Sequence, residues 1–176
     1  MPLYEFEGKC PLLPKSTFIH PQAVIIGNVE VGERCYIGAG AVIRGDFGKI
    51  VIGNGSNVQD NCIIHVDPET IAIIEDNVII GHGAIIHGSC LIRENAVVGM
   101  GAIVSPGCEI GNKSILAAGS VLPPRYNVPP NRLAMGNPVN TIKNLTDKME
   151  SINKVGINHY QSLTQRSFSG LRLIEG

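Results

Sequence analysis

Three of the chain's histidines, His65, His82 and His87, lie close together in the sequence and each follows shortly on an aliphatic residue. A neutral imidazole can take up a proton or bind a metal ion, and three that converge on one zinc leave a coordination position open for water or substrate. The residues around them suit such a centre: a guanidinium and a carboxylate one glycine apart (Arg44, Asp46), an amide (Gln59) and a second carboxylate (Asp60). These groups could orient imidazoles or position a water. Each also has a plainer reading: Arg44 and Asp46 suit a structural ion pair at an interface, and Gln59 and Asp60 suit the satisfaction of turn backbone. His20 and His159 stand outside the pattern and read as solvated or hydrogen-bonded side chains, and Cys10 carries no readable role.

Whether the three histidines meet depends on the elements that carry them. Aliphatic residues recur every six positions, first at Ile19, Ile25, Val31, Ile37 and Ile43, then at Ile52, Val58 and Ile64 after a short insertion. After a second insertion nine follow without slippage, from Ile74 to Leu122. Two residues before each rung the side chain is mostly small, as at Ala23, Ala41, Cys62, Ala84 and Ala102, with Val29, Ile50 and Val78 as larger exceptions. A helix would need a period of 3.6. One aliphatic and one small inward residue per short strand instead predicts a β-solenoid, whose coils bury their faces only by stacking. Seventeen rungs at three per coil predict between five and six coils, a prism about 25 Å tall at the spacing of neighbouring strands.

The ladder assigns polar residues to faces. Arg44, His65 and His87 follow rungs 43, 64 and 86, so they point outward from one face in successive coils, with the two histidines about one strand spacing apart. Two imidazoles so placed can share an ion at roughly 2.0–2.1 Å from each nitrogen. His82 follows rung 80, one face earlier, and stacks on Asp60 with Gln59 beside it. It cannot easily join the pair within one chain. If identical prisms associate about a threefold axis, each interface can bring one kind of face against the other, and the three histidines can meet there.

A chain of 176 residues with formal charge -1 suits one domain and offers no electrostatic case for nucleic acid or an acidic membrane as partner. Residues 1–10 lack the apolar core of a signal peptide, and Gly, Asn and Asp interrupt every apolar run, so a cytoplasmic location is expected. Of five cysteines, Cys35, Cys62, Cys90 and Cys108 occupy the small inward column and read as buried space-fillers rather than ligands. Past Leu122, Pro123, Pro124, Pro129 and Pro130 predict the end of the solenoid, since proline cannot donate to a ladder. Residues 1–139 then form the β-helix with its N-terminal segment and closing turn, and residues 140–176 a helical segment and tail. There Ile142, Leu145, Met149, Ile152 and Tyr160 make one stripe, Thr146–Asp147 a helix start, and Gly156 a possible division. The stripe predicts packing against a face of the prism or against a neighbouring subunit.

The segments RGDFGKI (44–50), NVQDNCIIH (57–65) and IGHGAIIHG (80–88) resemble the gamma-class carbonic anhydrases of the hexapeptide-repeat superfamily. GDFG, QDNC, GMGAIV (99–104) and HYQSLTQR (159–166) look most like the phenylacetic-acid-degradation branch, which includes a carnitine-operon relative. The resemblance implies an all-β solenoid, specifically a left-handed parallel β-helix, against the right-handed rule for most parallel crossovers. It also implies a homotrimer with metal sites between subunits, His65 and His87 coming from one chain and His82 from the next. Zinc is the implied ion, with iron or cobalt as alternatives, since imidazole suits several metals. The implied activity is attack of metal-bound hydroxide on carbon dioxide. Residues matching Gln59 and Asn57 would orient the hydroxide or substrate, Arg44 and Asp46 would pair near the site, Asp60 would support it and Tyr160 would reach the pocket. The best-known active members carry a proton-shuttling glutamate directly after the position of Asp46, where this chain has Phe47, and fast hydration needs such an acceptor.

Four functions follow as expectations. The first is zinc-dependent hydration of carbon dioxide to bicarbonate. The second is hydrolysis of an acyl-CoA thioester by the same activated water. The third is CoA-dependent acyl transfer with a histidine as base, which the hexapeptide repeat and the turn Gly136-Asn137-Pro138 also fit. The fourth is a non-enzymatic scaffold, which a retained histidine triad disfavours.

Overall fold

The computed structural model describes residues 3–174. The chain winds as a left-handed parallel β-helix with one helix laid along it, the architecture the repeat predicts. One face is a sheet of eight strands: Phe18–Ile19, Tyr36–Ile37, Asn57–Val58, Ile79–Ile80, Val97–Val98, Ile115–Leu116 and Arg132–Gly136, one per coil, and the antiparallel Val139–Asn144. The other two faces form one sheet of eleven strands, because Val24–Val31 and Val42–Ile52 run unbroken around a corner. Rungs stack in register: Ile43, Ile64, Ile86, Val104 and Leu122 form one column and Ile52, Ile74, Ile92 and Ile110 another. Almost all of them are fully buried, and each such side chain stabilises the fold by roughly 1.5–3 kcal/mol.

The corners are as regular as the rungs. Gly40, Asn61, Gly83, Gly101 and Gly119 all adopt positive φ between 59° and 69°, one above the other. Asn tolerates this left-handed region better than other residues with a Cβ. Backbone bonds tie the column together, Asn61 N–H to Ala39 O, Gly83 N–H to Asp60 O and Gly101 N–H to His82 O, each at 2.9 Å. Backbone bonds of the repeat thus also tie the corner beside His82 to the coils on either side.

Three features differ from the sequence expectation. The solenoid does not stop at Leu122: Asn127–Val128 and Arg132–Gly136 add strands, and Val128 and Ala134 are further buried rungs, making about seven turns. The prolines sit at corners, where no ladder bond is required of them, and Pro123, Pro129 and Pro106 carbonyls accept bonds from the neighbouring coil or its side chains. Second, Ile142 lies in the strand Val139–Asn144, and the helix runs from Asp147 to Gly170. Thr146 is its N-cap, its side chain accepting from Met149 N–H, so the predicted start holds. Third, Gly156 does not divide the helix. An added Cβ there would come 3.2 Å from Ile79 Cδ1, so the glycine marks close approach of helix and prism.

The helix packs on its own chain's eight-stranded face. Its seated side comprises Ile157 and Thr164, both buried, with Tyr160 and Phe168, while Ile152 is exposed. Phe168 meets Phe18 edge-on at 5.7 Å, Phe18 stacks on Tyr36 at 5.6 Å, and Tyr36 meets Tyr160 at 5.4 Å. Gln161 donates to Asn77 Oδ1 (2.9 Å) and Lys113 pairs with Glu150 (2.7 Å), completing the attachment.

Candidate active site

The strand register places the first group. Arg44, His65 and His87 are consecutive Cα partners on Val42–Ile52, Ile63–His65 and Ile85–His87, as the ladder predicts. The two imidazoles stack at 5.5 Å between ring centres, 27° apart in plane. Together with the aliphatics Val42, Ile63 and Ile85 they line a shallow groove of about 300 Å³. The chain from Gly45 to Gly48 stays in the strand instead of looping out, with a register shift opposite Gly27 and Val29, and it turns Asp46 back toward the histidine.

His65 is the most enclosed of the three, its side chain 15% exposed. Its Nε2 lies 3.0 Å from Asp46 Oδ1 and 3.1 Å from Arg44 Nη2, and Arg44 Nε lies 3.6 Å from Asp46 Oδ2. One imidazole nitrogen cannot donate to the carboxylate and accept from the guanidinium at once, so the proton on Nε2 decides which bond forms. The Arg44–Asp46 pair forms within the chain. His87 is more open, with Nε2 3.5 Å from Asp67 Oδ1.

The second group sits on a corner of the eight-stranded face. Asp60 Oδ1 accepts from Ala39 N–H (2.9 Å) in one neighbouring coil, and Oδ2 lies 3.2 Å from His82 Nδ1 in the other. The one carboxylate thus touches both turn backbone and an imidazole. Gln59 Oε1 accepts from His82 N–H (3.2 Å), and Gln59 Nε2 donates to Asn57 Oδ1 (3.0 Å). Asn57 is buried, and its Nδ2 has no hydrogen-bond partner among the described residues. Gln59 and Asn57 thus support the backbone of His82. From the helix, Tyr160 Oη reaches His82 Nε2 at 3.3 Å. Burial first, and the Asp60 carboxylate second, push the Tyr160 phenol up to about 12, so it keeps its proton and can donate to Nε2. Asp60 then holds the proton on Nδ1 and leaves a lone pair on Nε2, the tautomer of a general base.

His82 does not join His65 and His87 within the chain, and no three metal-binding side chains converge among the described residues. The donor chemistry suits a divalent ion, because each imidazole has a carboxylate neighbour. The geometry allows it only if a second chain supplies His82. The buried cysteines line the solenoid interior, where burial raises Cys35 and Cys62 to about 11 and Cys90 to about 12, keeping them as thiols. Sequence reading missed two neighbours of the histidines. Asp67 lies in the second insertion, two residues beyond His65, and Phe47 meets the His65 ring at 5.3 Å, in the segment where the ladder count breaks.

Comparisons agree with this architecture. The family described as bacterial transferase hexapeptide (six repeats) matches residues 13–45 and 89–124, and the hexapeptide repeat of succinyl-transferase matches residues 71–106. The carnitine operon protein CaiE of Escherichia coli K12 is 40% identical over 166 residues, covering 94% of this chain and 84% of that protein. The chain belongs to the hexapeptide-repeat transferase family. Within that family, a crystal structure of a hexapeptide transferase family protein from Anaplasma phagocytophilum superposes with a TM-score of 0.89 at 34% identity, covering 93% of this chain and 96% of that one. A point mutant of perosamine N-acetyltransferase from Caulobacter crescentus, in complex with CoA and GDP-perosamine, superposes with a TM-score of 0.56 at 30% identity, covering 73% of this chain and 57% of that one. The CaiE match agrees with the carnitine-operon branch that the sequence motifs resemble. No helix of the described chain is long and apolar enough to cross a membrane.

Proposed function

We propose that this protein acts on acyl-CoA thioesters, transferring the acyl group to a nucleophile, with water as the simplest acceptor. The observation that carries the reading is the Asp60–His82–Tyr160 arrangement, a carboxylate-held imidazole whose Nε2 keeps its lone pair, accepting from Tyr160 Oη until a substrate proton replaces that bond. The CoA bound to the 30% identical perosamine N-acetyltransferase supports thioesters as the substrate class. In the proposed step the acceptor's oxygen or nitrogen attacks the thioester carbonyl while His82 Nε2 takes its proton. The carbon–sulfur bond then breaks, and the proton returns to the departing CoA sulfur. The site is made between subunits of a homotrimer, where Arg44, His65 and His87 of one chain face Gln59, Asp60 and His82 of the next, and Arg44 offers a positive charge to the developing oxyanion. Release of CoA thiol from a panel of acyl-CoAs, with water alone and with added amines, tests this. His82→Ala is expected to lower release at least 100-fold while circular dichroism stays unchanged, and no release from any thioester overturns the reading.

A second reading is favoured by one specific observation: His65 and His87 are stacked on adjacent coils, and all three histidines have carboxylate neighbours. Across a subunit interface these could hold zinc, iron or cobalt, which would supply Lewis acidity and an activated water for carbon dioxide or for the thioester itself. Arg44 and Asp46 would then have to give up their hold on His65 Nε2. Metal content of the purified trimer, together with carbon dioxide hydration by wild type and His87→Ala, separates the two readings. Metal at one ion per interface with hydration lost in His87→Ala supports the second, and metal-free protein that still cleaves thioesters removes it.

A further inference from the structure

Phe47 is a large apolar side chain left 54% exposed beside the most enclosed histidine. Its ring meets His65 at 5.3 Å, and His65 stacks on His87 at 5.5 Å, so Phe47 ends a column of three rings. Nothing in the core requires it, yet its backbone is tightly held. Phe47 N–H donates to Asp46 Oδ1 (3.1 Å), and its carbonyl accepts from Glu69 N–H (3.2 Å) in the second insertion. The flanking Gly45 and Gly48 lie so close to the backbone oxygens of Asn28 and Thr70 that neither has room for a Cβ. Both insertions that break the six-residue ladder thus hold the backbone that carries one exposed aromatic ring beside His65. An aromatic side chain held in place offers a large contact surface at little entropic cost on binding.

We propose that Phe47 is a specificity-determining residue that contacts the acyl group of the thioester and selects apolar acyl groups larger than acetyl. The proposal rests on the acyl-CoA reading above. The site offers carboxylates, imidazoles and a guanidinium for the reacting carbonyl, and Phe47 supplies an apolar platform directly beside them. A contact of this kind discriminates between acyl groups by about 10–200-fold.

The test compares kcat/KM for acetyl-CoA, hexanoyl-CoA and benzoyl-CoA in the wild-type protein, Phe47→Ala and Phe47→Leu, reading released thiol. The wild type is expected to prefer hexanoyl and benzoyl over acetyl. Phe47→Ala is expected to lower the benzoyl-to-acetyl ratio about 10-fold, mainly through KM, and Phe47→Leu to retain more of the hexanoyl preference than of the benzoyl preference. A ratio unchanged within twofold, with all three rates falling together, makes Phe47 a support for His65 and overturns the proposal. Thiol release from none of the three in the wild type overturns the acyl-CoA reading itself, which distinguishes the two failures.

Discussion

The strand face bearing His65 and His87 and the corner bearing His82 are built by different means. On the strand face, position comes from register: Arg44, His65 and His87 are Cα partners, and their spacing is the spacing of the sheet. At the corner, position comes from side chains, with Asp60 bridging two coils, Gln59 holding the His82 backbone and Tyr160 descending from the helix. The strand face encloses one imidazole in an ion-pair network, whereas the corner leaves its imidazole half exposed with a defined tautomer. A repeat can align groups within a face at no extra cost. It cannot bring groups on different faces together, so a site that needs both must be completed by another copy of the chain.

Mixing inactivated subunits breaks the comparison most severely. His65→Ala and His82→Ala are each expected to lose at least 100-fold in activity, as loss of a general base or an orienting ligand does. Refolded together, they are expected to regain a substantial fraction, because some interfaces then pair an intact strand face with an intact corner. Two variants that stay inactive when mixed, while forming mixed trimers by native mass spectrometry, would show that the two regions do not share a site.

Next in size is the core beneath the strand face. Ile86 is fully buried between the rungs Ile64 and Val104 and immediately precedes His87. Ile86→Ala is expected to cost about 2–5 kcal/mol, measured by chemical denaturation. The loss of activity should exceed that of an equally destabilising change far from both regions, such as Ile110→Ala, because the His65–His87 stack rides on this rung. Equal losses would mean that the register does not position the histidines.

The sequence made the strand face almost wholly legible, since a strict period turns residue numbers into coordinates: Arg44, His65 and His87 align as counted, and His82 falls over Asp60. It was least legible where the period fails. The prolines after Leu122 look like a stop because proline is excluded from ladders, yet a solenoid corner tolerates it, so two further rungs, Val128 and Ala134, went uncounted. The insertions conceal Phe47 and Asp67, whose contacts with histidines depend on how extra residues fold back, which no repeat encodes. Tyr160 was reachable only through resemblance, because a helix's azimuth on a solenoid is set by tertiary packing at Phe18, Tyr36 and Ile79.

Tyr160→Phe sharpens the corner side. It removes the donor to His82 Nε2 and keeps the ring against Tyr36. The expected change is a loss of about 0.5–1.5 kcal/mol in the hydrogen bond, read as a few-fold change in kcat/KM with a melting temperature lowered by no more than about 2–4 °C per kcal/mol lost. A larger loss, of the order seen in His82→Ala, would promote the phenol from an orienting group to a proton donor in the reaction.

The smallest effect separates the two regions by pH. Beneath the corner, the Cys62 thiol donates to Gly81 O at 3.1 Å, the carbonyl just before His82, and burial raises its pKa to about 11. Its ordinary value is 9.0, so between about pH 9 and 11 the unfolded chain loses this proton while the folded one keeps it. The folded state then binds more protons, and stability falls as pH rises through that window. Cys35 and Cys90 act in the same direction, at about 11 and 12. The buried thiols are therefore expected to lower the melting temperature as pH rises above 9, with the decline partly relieved in Cys62→Ala. Because the Cys62 thiol donates to the carbonyls of Ile80 and Gly81 beside His82, hydrogen exchange at pH 10 should rise at Gly81–Gly83 before it rises at Ile63–His65. Equal protection at both would mean that the corner, despite its dependence on side chains, is held as firmly as the strands.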